Sequence, residues 1–361
     1  MANEKNADPA AIRQLIEGEL ATFLSAQKKY LESIGSELTQ ASDALTSFLL
    51  EGGKRFRPLF AYFGFLSAGG SHSPEIIRAC SSLELLQACA LIHDDLMDGS
   101  DTRRGKPAIH KHFEKLHAQE SAVGSSAGFG QAAAILLGDL ALVYSDLALH
   151  QSGIKSDVLP QVLAVHDEMR VELMAGQFLD IYEQTRSTHT VERALTIARY
   201  KSGKYTIERP LHFGAALATT DKKVLAEVTS HLSSYGLPLG EAFQLRDDLL
   251  GVFGDPDLTG KPAGDDLREG KPTLPLIYLL DHGTPEQKSL IRSAIEQAEE
   301  LPEDLFQQVY QAIMNSDAIQ YTEAAALREA QLARDSLKCF PQNAATQSLM
   351  DLCDYSLKRS S

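Results

Sequence analysis

The chain is 361 residues long, 43% hydrophobic and 23% charged, with a formal net charge of −15. That composition is ordinary for a globular protein and holds enough apolar material for a sizeable core. The acidic balance repels nucleic-acid backbones and anionic membrane surfaces, so neither is expected as a partner, and an anionic substrate would have to meet positive charge locally.

Residues 1 to 10 are polar and are expected to form a flexible N-terminus, with no apolar leader segment. Alternating strand patterns are scarce. Helical spacing recurs instead, beginning with Ile76, Cys80, Leu83, Leu86 and Ala90, which step by three and four as one buried helix face requires. Ser121 to Gly130 is small and Gly/Ser-rich and is expected to be a loop. A further helix is expected to start at Asp157–Pro160 and run towards Tyr182, and the stretch from Leu195 to Leu217 is long and largely apolar. Gly and Pro punctuate the chain at Gly52-Gly53, Pro58, Gly69-Gly70, Gly105 to Pro107, Gly260 to Pro262 and Gly270 to Pro272. After residue 290 the pattern is helical with mixed charge and carries no chemistry that can be read. No linker divides the chain, so a single all-α domain over 1–361 is expected. No run of eighteen apolar residues is present, so no membrane span is expected. Cys80, Cys89, Cys339 and Cys353 form no CxxC pair and read as reduced residues of a cytoplasmic protein.

The chemistry-bearing residues fall into acidic and basic groups. Asp94, Asp95 and Asp98, in LIHDDLMDGSDTRRG, share one helix face at the end of an apolar helix. Carboxylates so close repel one another, and a hard divalent cation such as Mg²⁺ makes the arrangement tolerable. An isolated DDxxD is more often a solvated helix end, but Asp247 and Asp248 end a second apolar helix far along the chain. Two such sites suggest facing walls of one metal-binding cavity. The fifth position of the second cluster is Gly251, so it lacks a third carboxylate there. Basic residues accompany both: Lys54 and Arg57 in GGKRFRP, Arg103-Arg104, Lys201 and Lys204 in KSGK, and Lys261 with Lys271. Metal plus Lys and Arg is the equipment for binding, then stabilising, a departing diphosphate. Gln87, Asp94 and Asp98 lie on one helical stripe, and Gln244 shares a face with Asp247 and Asp248.

With GGKRFRP, LIHDDLMDGSDTRRG, GDLAL, KSGKYT, FQLRDDLLGVFGD and GKPAGDDLREGKPTLP in order over residues 52 to 275, the sequence resembles the trans-polyprenyl diphosphate synthases, with an overall look nearest to bacterial geranylgeranyl diphosphate synthases. The resemblance implies an isoprenoid-synthase bundle of about ten antiparallel helices around a deep central cavity, usually as a homodimer. It implies that Asp94, Asp95, Asp98, Asp247 and Asp248 bind metal, about three Mg²⁺ per active site. Arg103, Lys201 and Lys261 would grip an allylic diphosphate, while Lys54, Arg57, Gln87 and Arg104 would hold isopentenyl diphosphate. Gln244 would lie beside the allylic carbons, Ser202 stands where the family has Thr, and Gln177 and Asp180 would line the cavity.

The implied reaction is ionisation of the allylic diphosphate, attack by the isopentenyl double bond and loss of a proton, with Asp94, Asp95, Arg103, Lys201 and Asp247 carrying the catalysis. Product length would be set along the first aspartate helix, where one turn of about 5.4 Å roughly matches an isoprene unit. Short-chain family members place a bulky aromatic four or five residues before the first Asp, and those positions here are Ala90 and Cys89. Leu86, about 12 Å before Asp94, is then a candidate floor, and a twenty-carbon product is expected. Longer products remain open, and Cys89 and Ala90 could equally serve helix packing. Three other readings compete with this one. His93 beside Asp94-Asp95 could mark an HD-type phosphohydrolase, but His110, His112 and His117 sit in a Lys-rich stretch that reads as surface. A terpene cyclase would not need GGKRFRP, and a silent partner subunit would not be expected to keep both Asp pairs. Arg209-Pro210 either braces the 201–204 turn or merely ends a helix.

Overall fold

In the computed structural model the described residues are 8–186, 189–253, 264–268, 271, 273–297 and 301–357. They form α1 (Pro9–Ile34), α2 (Leu38–Leu50), α3 (Phe56–Ser67), α4 (Pro74–Met97), α5 (Ile109–Gln119), α6 (Ser126–His150), α7 (Leu159–Gln184) and α8 (Val191–Ile197). The chain continues through α9 (Arg209–Ala218), α10 (Lys222–Phe253), α11 (Asp265–Arg268), α12 (Leu274–His282), α13 (Pro285–Glu296), α14 (Glu303–Met314), α15 (Ala318–Ser336) and α16 (Ala344–Leu357). Residues Ala198–Glu208, between α8 and α9, wind as a π-helix. The strands among the described residues are a hairpin of β1 (Thr102–Arg103) and β2 (Lys106–Pro107). The all-α architecture is as expected.

Helices begin where the sequence supplies an acceptor or a proline. Asp8 accepts from the Ala10 amide ahead of α1, Ser125 from the Gly128 amide ahead of α6, and Thr284 and Gln287 form a reciprocal capping box at α13. Pro74, Pro160 and Pro285 occupy first turns, where the missing N–H costs nothing.

The centre of the molecule is α4. Cys80, Leu83, Leu85 and Leu86 expose no surface, and buried residues occur on every side of the helix, as suits an element surrounded by others. It packs on α6, α3 and α1. Ser145 of α6 donates to the Ser82 carbonyl of α4 at 2.8 Å. A second, smaller core gathers Val252 at the end of α10 with Leu276, Ile291, Val309 and Ile313 of the following helices. The second aspartate pair therefore lies close to the join between two cores.

Two local expectations need correction, at residues 121–130 and at His110 and His117. Helices α4 and α6 are long and apolar enough to cross a membrane by length and composition, a test that core helices also pass, and 72% and 44% of their apolar windows are buried inside the protein. Ser, Gly and His interrupt the runs without lowering the average enough to disqualify them. The 121–130 loop is half helix, because Ser125 caps α6 and Gly130 is buried. His110 and His117 are not surface residues: with Phe113 they form the buried i, i+3, i+7 face of α5, leaving Lys111 and Lys115 outside.

One buried ion pair fixes the turn between α2 and α3 to the central helix. Arg55 has a left-handed backbone (φ 55°), and its side chain turns inward. Its Nη1 donates to Glu84 Oε1 of α4 at 2.7 Å, and its Nη2 donates to the Leu49 carbonyl at 2.6 Å. Both residues are buried, so removing one partner strands the other's charge. Glu84→Ala is expected to lower the unfolding free energy by about 3–5 kcal/mol, measured by urea denaturation. A loss below about 1 kcal/mol would mean that the pair is solvated.

Candidate active site

The end of α4 carries the first three carboxylates, and each meets a cation from a different element. Arg103, on the hairpin, donates from Nε to Asp95 Oδ1 at 2.8 Å, and its Nη2 lies 3.5 Å from Asp94 Oδ2. Lys201, on the π-helix, lies 3.3 Å from Asp94 Oδ1 and donates to Asp180 Oδ2 of α7 at 2.6 Å. Gln177 of α7 donates to the same Asp94 oxygen at 3.1 Å. Lys271 donates to Asp98 Oδ2 at 2.7 Å. Burial pushes the Asp94 carboxyl up, but Lys201, Lys271 and Arg103 together outweigh it and hold the group at about 2. Burial likewise works against the charge on Lys201, and Asp94 and Asp180 more than restore it.

The second wall is α10. Gln244 donates to Asp248 Oδ1 at 2.8 Å, and the Leu274 amide donates to Asp248 Oδ2 at 3.2 Å. Lys271 and Leu274 belong to one short segment, so that segment touches both acidic helix ends. Asp247 is half-buried beside Asp248, and Gly251 follows in the last turn of α10. Lys261 lies outside the described residues.

The GGKRFRP cations divide by role. Arg55 is the buried strut described above. Arg57 Nη2 donates to Thr206 Oγ1 at 2.7 Å, with its guanidinium 4.2 Å from the Tyr205 ring centre. Lys54 Nζ stands 5.9 Å from the Tyr355 ring centre of α16. Arg104 donates to the carbonyls of Phe48 and Glu51, each at 3.3 Å, where a cation suits the C-terminal end of α2. Gln87 Oε1 is buried on α4 and has no hydrogen-bond partner. Ser202 is half-buried next to Lys201.

The donor set of carboxylates without Cys or His suits a hard ion such as Mg²⁺ or Ca²⁺. Among the described residues no three metal-ligating side chains already converge. Asp94, Asp95 and Asp98 instead face three separate cations, and a divalent ion would replace those contacts. His93 takes no part: its Nε2 is 3.2 Å from the Ile135 carbonyl of α6 and its Nδ1 is 3.8 Å from Cys89 Sγ. That orientation removes the HD-type reading and sets Cys89 on the side of α4 that faces α6. Leu86 is fully buried, and Ala90 is half-buried against the core.

Comparison with known proteins identifies the family. A family model for polyprenyl synthetase matches residues 38–313. The chain belongs to that family of trans-prenyl diphosphate synthases. It is similar to a geranylgeranyl pyrophosphate synthase of Corynebacterium glutamicum, crystallised with isoprenyl diphosphate and magnesium, at 38% identity and a TM-score of 0.90, covering 98% of this chain and 99% of that one. It is 31% identical to the octaprenyl diphosphate synthase of Escherichia coli (strain K12), over 91% of this chain and 93% of that one. It is 28% identical to the geranylgeranyl diphosphate synthase of Saccharolobus solfataricus, over 92% and 93%.

Other polar contacts near the site carry no sequence signal. Glu172 of α7 takes Arg209 Nε at 2.6 Å and also accepts from Lys204, while Arg209 Nη2 reaches Glu168 at 2.7 Å. Arg209 therefore braces the 201–204 turn, one of the two readings that the sequence left open. Ser233 of α10 donates to Glu208 at 2.6 Å and lies 2.9 Å from His212 Nε2. No sequence signal marks these pairs, because their partners sit on different helices. A Ser–His–Asp sequence also occurs: Ser145 Oγ is 3.3 Å from His166 Nε2, and Asp146 is 3.6 Å from His166 Nδ1. Ser145 and His166 are wholly buried and the hydroxyl is bonded to Ser82, so this is a packing bridge and not a nucleophile.

Burial, then the charge of Arg209, lowers His212 to about 4, and burial, then Arg170, lowers His166 to about 4. Each histidine binds its proton more readily in the unfolded chain. Their stabilising contribution is therefore complete above about pH 6.5 and is lost as the pH falls towards 4. The unfolding free energy from urea titrations should fall by up to about 1.4 kcal/mol per pH unit for each histidine in that window. His212→Asn should flatten the slope, and an unchanged slope would remove His212 as a source.

Proposed function

We propose that the protein condenses isopentenyl diphosphate head-to-tail (1'-4) with an allylic diphosphate, with Mg²⁺ as cofactor and geranylgeranyl diphosphate as product. The observation that carries this reading is the meeting of Arg103 and Lys201 at Asp94, beside a second cationic group at Lys54 and Arg57. Asp94, Asp95 and Asp98 would hold metal from one wall and Asp247 and Asp248 from the other. Bound Mg²⁺, about three ions, neutralises charge on the leaving diphosphate. Arg103 and Lys201, with Lys261, grip the allylic diphosphate by charge-assisted hydrogen bonds. Lys54, Arg57, Arg104 and Gln87 bind isopentenyl diphosphate, and the free Gln87 Oε1 supports that use. Gln177, Asp180, Ser202 and Gln244 position the reacting ends. The apolar faces of α4 exclude water that would quench a carbocation, and the departed diphosphate takes up the final proton. The Corynebacterium synthase with isoprenyl diphosphate and magnesium supports the substrate and metal assignments.

The twenty-carbon product rests on the small Cys89 and Ala90 with Leu86 beneath them, and on the resemblance to geranylgeranyl synthases. A longer product is the second reading, favoured by the octaprenyl relatives. Incubation with Mg²⁺, labelled isopentenyl diphosphate and farnesyl diphosphate, followed by sizing of the dephosphorylated products, separates the two. A dominant twenty-carbon product supports the first reading and a ladder of longer chains the second. A folded protein that condenses nothing sinks both and leaves a silent subunit. Ala90→Phe should shift the product towards fifteen carbons, and Asp95→Asn should lower kcat by about 10²–10³.

The same reading includes a cytoplasmic homodimer. Its four cysteines are unbridged, as a reducing compartment keeps them. Leu136 and Val143 of α6 and Val171, Met174 and Phe178 of α7 are exposed apolar residues that a second copy would cover. Light scattering should give twice the 39.4 kDa chain mass, and a monomer at micromolar concentration would refute the dimer.

A further inference from the structure

The π-helix Ala198–Glu208 touches both of the proposed diphosphate sites. At one end, Lys201 reaches Asp94 and Asp180. Five residues later, Thr206 Oγ1 accepts from Arg57, and the Tyr205 ring lies beneath the same guanidinium. Thr206 and Tyr205 are each 2% exposed, so this grip is made inside the protein. In an α-helix, at about 3.6 residues per turn, residues five apart point about 140° away from each other. The wider i→i+5 winding of a π-helix brings position 206 back towards the face that carries position 201. The wide winding is what lets one short segment present Lys201 to one cationic site and Thr206 to the other.

The winding is held from outside. Glu172 of α7 ties Lys204 and Arg209, one within the π-helix and the other just after it. Two close backbone approaches fix its position. A Cβ at Gly176 of α7 would lie 2.4 Å from the Lys201 amide nitrogen, and one at Gly240 of α10 would lie 2.6 Å from the Gly203 Cα. The segment is thus wedged between α7 and α10 with an electrostatic clamp on one side. π-Helical turns are an exception in proteins and concentrate where function demands them.

We propose that this π-helix is a single registering element for both diphosphates, with Thr206 and Tyr205 as positioning residues for Arg57 and Glu172 as the clamp that keeps the turn wound. The proposal rests on the condensation reading and deepens it. Thr206→Val removes the acceptor while keeping the shape, and Thr206→Ser keeps the acceptor. In steady-state assays, Thr206→Val should raise KM for isopentenyl diphosphate about tenfold, leave the allylic KM and the Tm unchanged, and be rescued by Thr206→Ser. Glu172→Gln should raise both KM values together. Calorimetric titration with isopentenyl diphosphate alone reads the same effect without turnover. Wild type that binds it but condenses nothing would refute the catalytic reading, while weakened binding by Thr206→Val would still support the registering role. Equal binding by wild type and Thr206→Val, no binding by wild type, or a loss in Thr206→Val that follows a falling Tm and is not rescued by Ser would overturn it.

Discussion

Three carboxylates within one turn, at the end of the most buried helix, are electrostatically unfavourable unless they are compensated. Asp95 exposes no surface, so water cannot do it. Compensation comes from Arg103 on the hairpin, Lys201 on the π-helix and Lys271 ahead of α12. Those elements are distant in sequence, and the C-terminal end of α4 becomes tolerable only once all of them have arrived. The hairpin after α4 brings Arg103 back over the helix it has just left, which explains why so small a strand pair interrupts an otherwise helical chain. The central helix is held at one end by charge and along its length by apolar packing.

Charge also organises the layer behind the site. Glu172, Lys204, Arg209, Glu208 and Ser233 link α7, the π-helix and α10 through interlocking bonds. Each of these groups is at least partly buried, and each carbon-bound charge has an opposite neighbour, so the network directs geometry more than it adds stability. Its effect is to make α7 and α10 share one intervening segment. The first acidic wall is tied to that segment through Lys201, and Lys271 with Leu274 links the first wall to the second. The basic turn after α2 joins the same framework through Arg57. Four stretches of chain, each readable alone, become one machine through these few cross-links.

The parts legible in the sequence were those in which adjacent residues carry the signal. The aspartate groups, GGKRFRP and KSGKYT are local strings, and the apolar stepping along α4 is a local period, so the all-α fold and a set of candidate site residues could be named. What the sequence hid depends on partners far apart in the chain. Arg55 sits among the candidate binding cations, yet its left-handed backbone sends it inward to Glu84. The stretch from Leu195 to Leu217 looks like one apolar helix, and only the Glu172 clamp and the backbone approaches at Gly176 and Gly240 explain why its middle winds as π. His110 and His117 were read as surface from their Lys neighbours, although those lysines occupy the opposite face of α5.

A net charge of −15 in a member of a family of prenyl diphosphate synthases presents a contradiction that the site geometry resolves. Around Asp94 the cations do not await an anion with unopposed charge. Arg103, Lys201 and Lys271 are already engaged by Asp94, Asp95, Asp98 and Asp180, four carboxylates to three cations. A diphosphate arriving alone would meet a site that is slightly negative and would have to break those contacts. With a divalent ion bound, Asp94, Asp95 and Asp98 would turn to the metal, and Arg103, Lys201 and Lys271 would be freed for phosphate oxygens. Metal and anion binding are then mutually dependent on charge grounds alone. On the same balance the acidic surface would repel polyanions while the interior would admit a small diphosphate accompanied by metal.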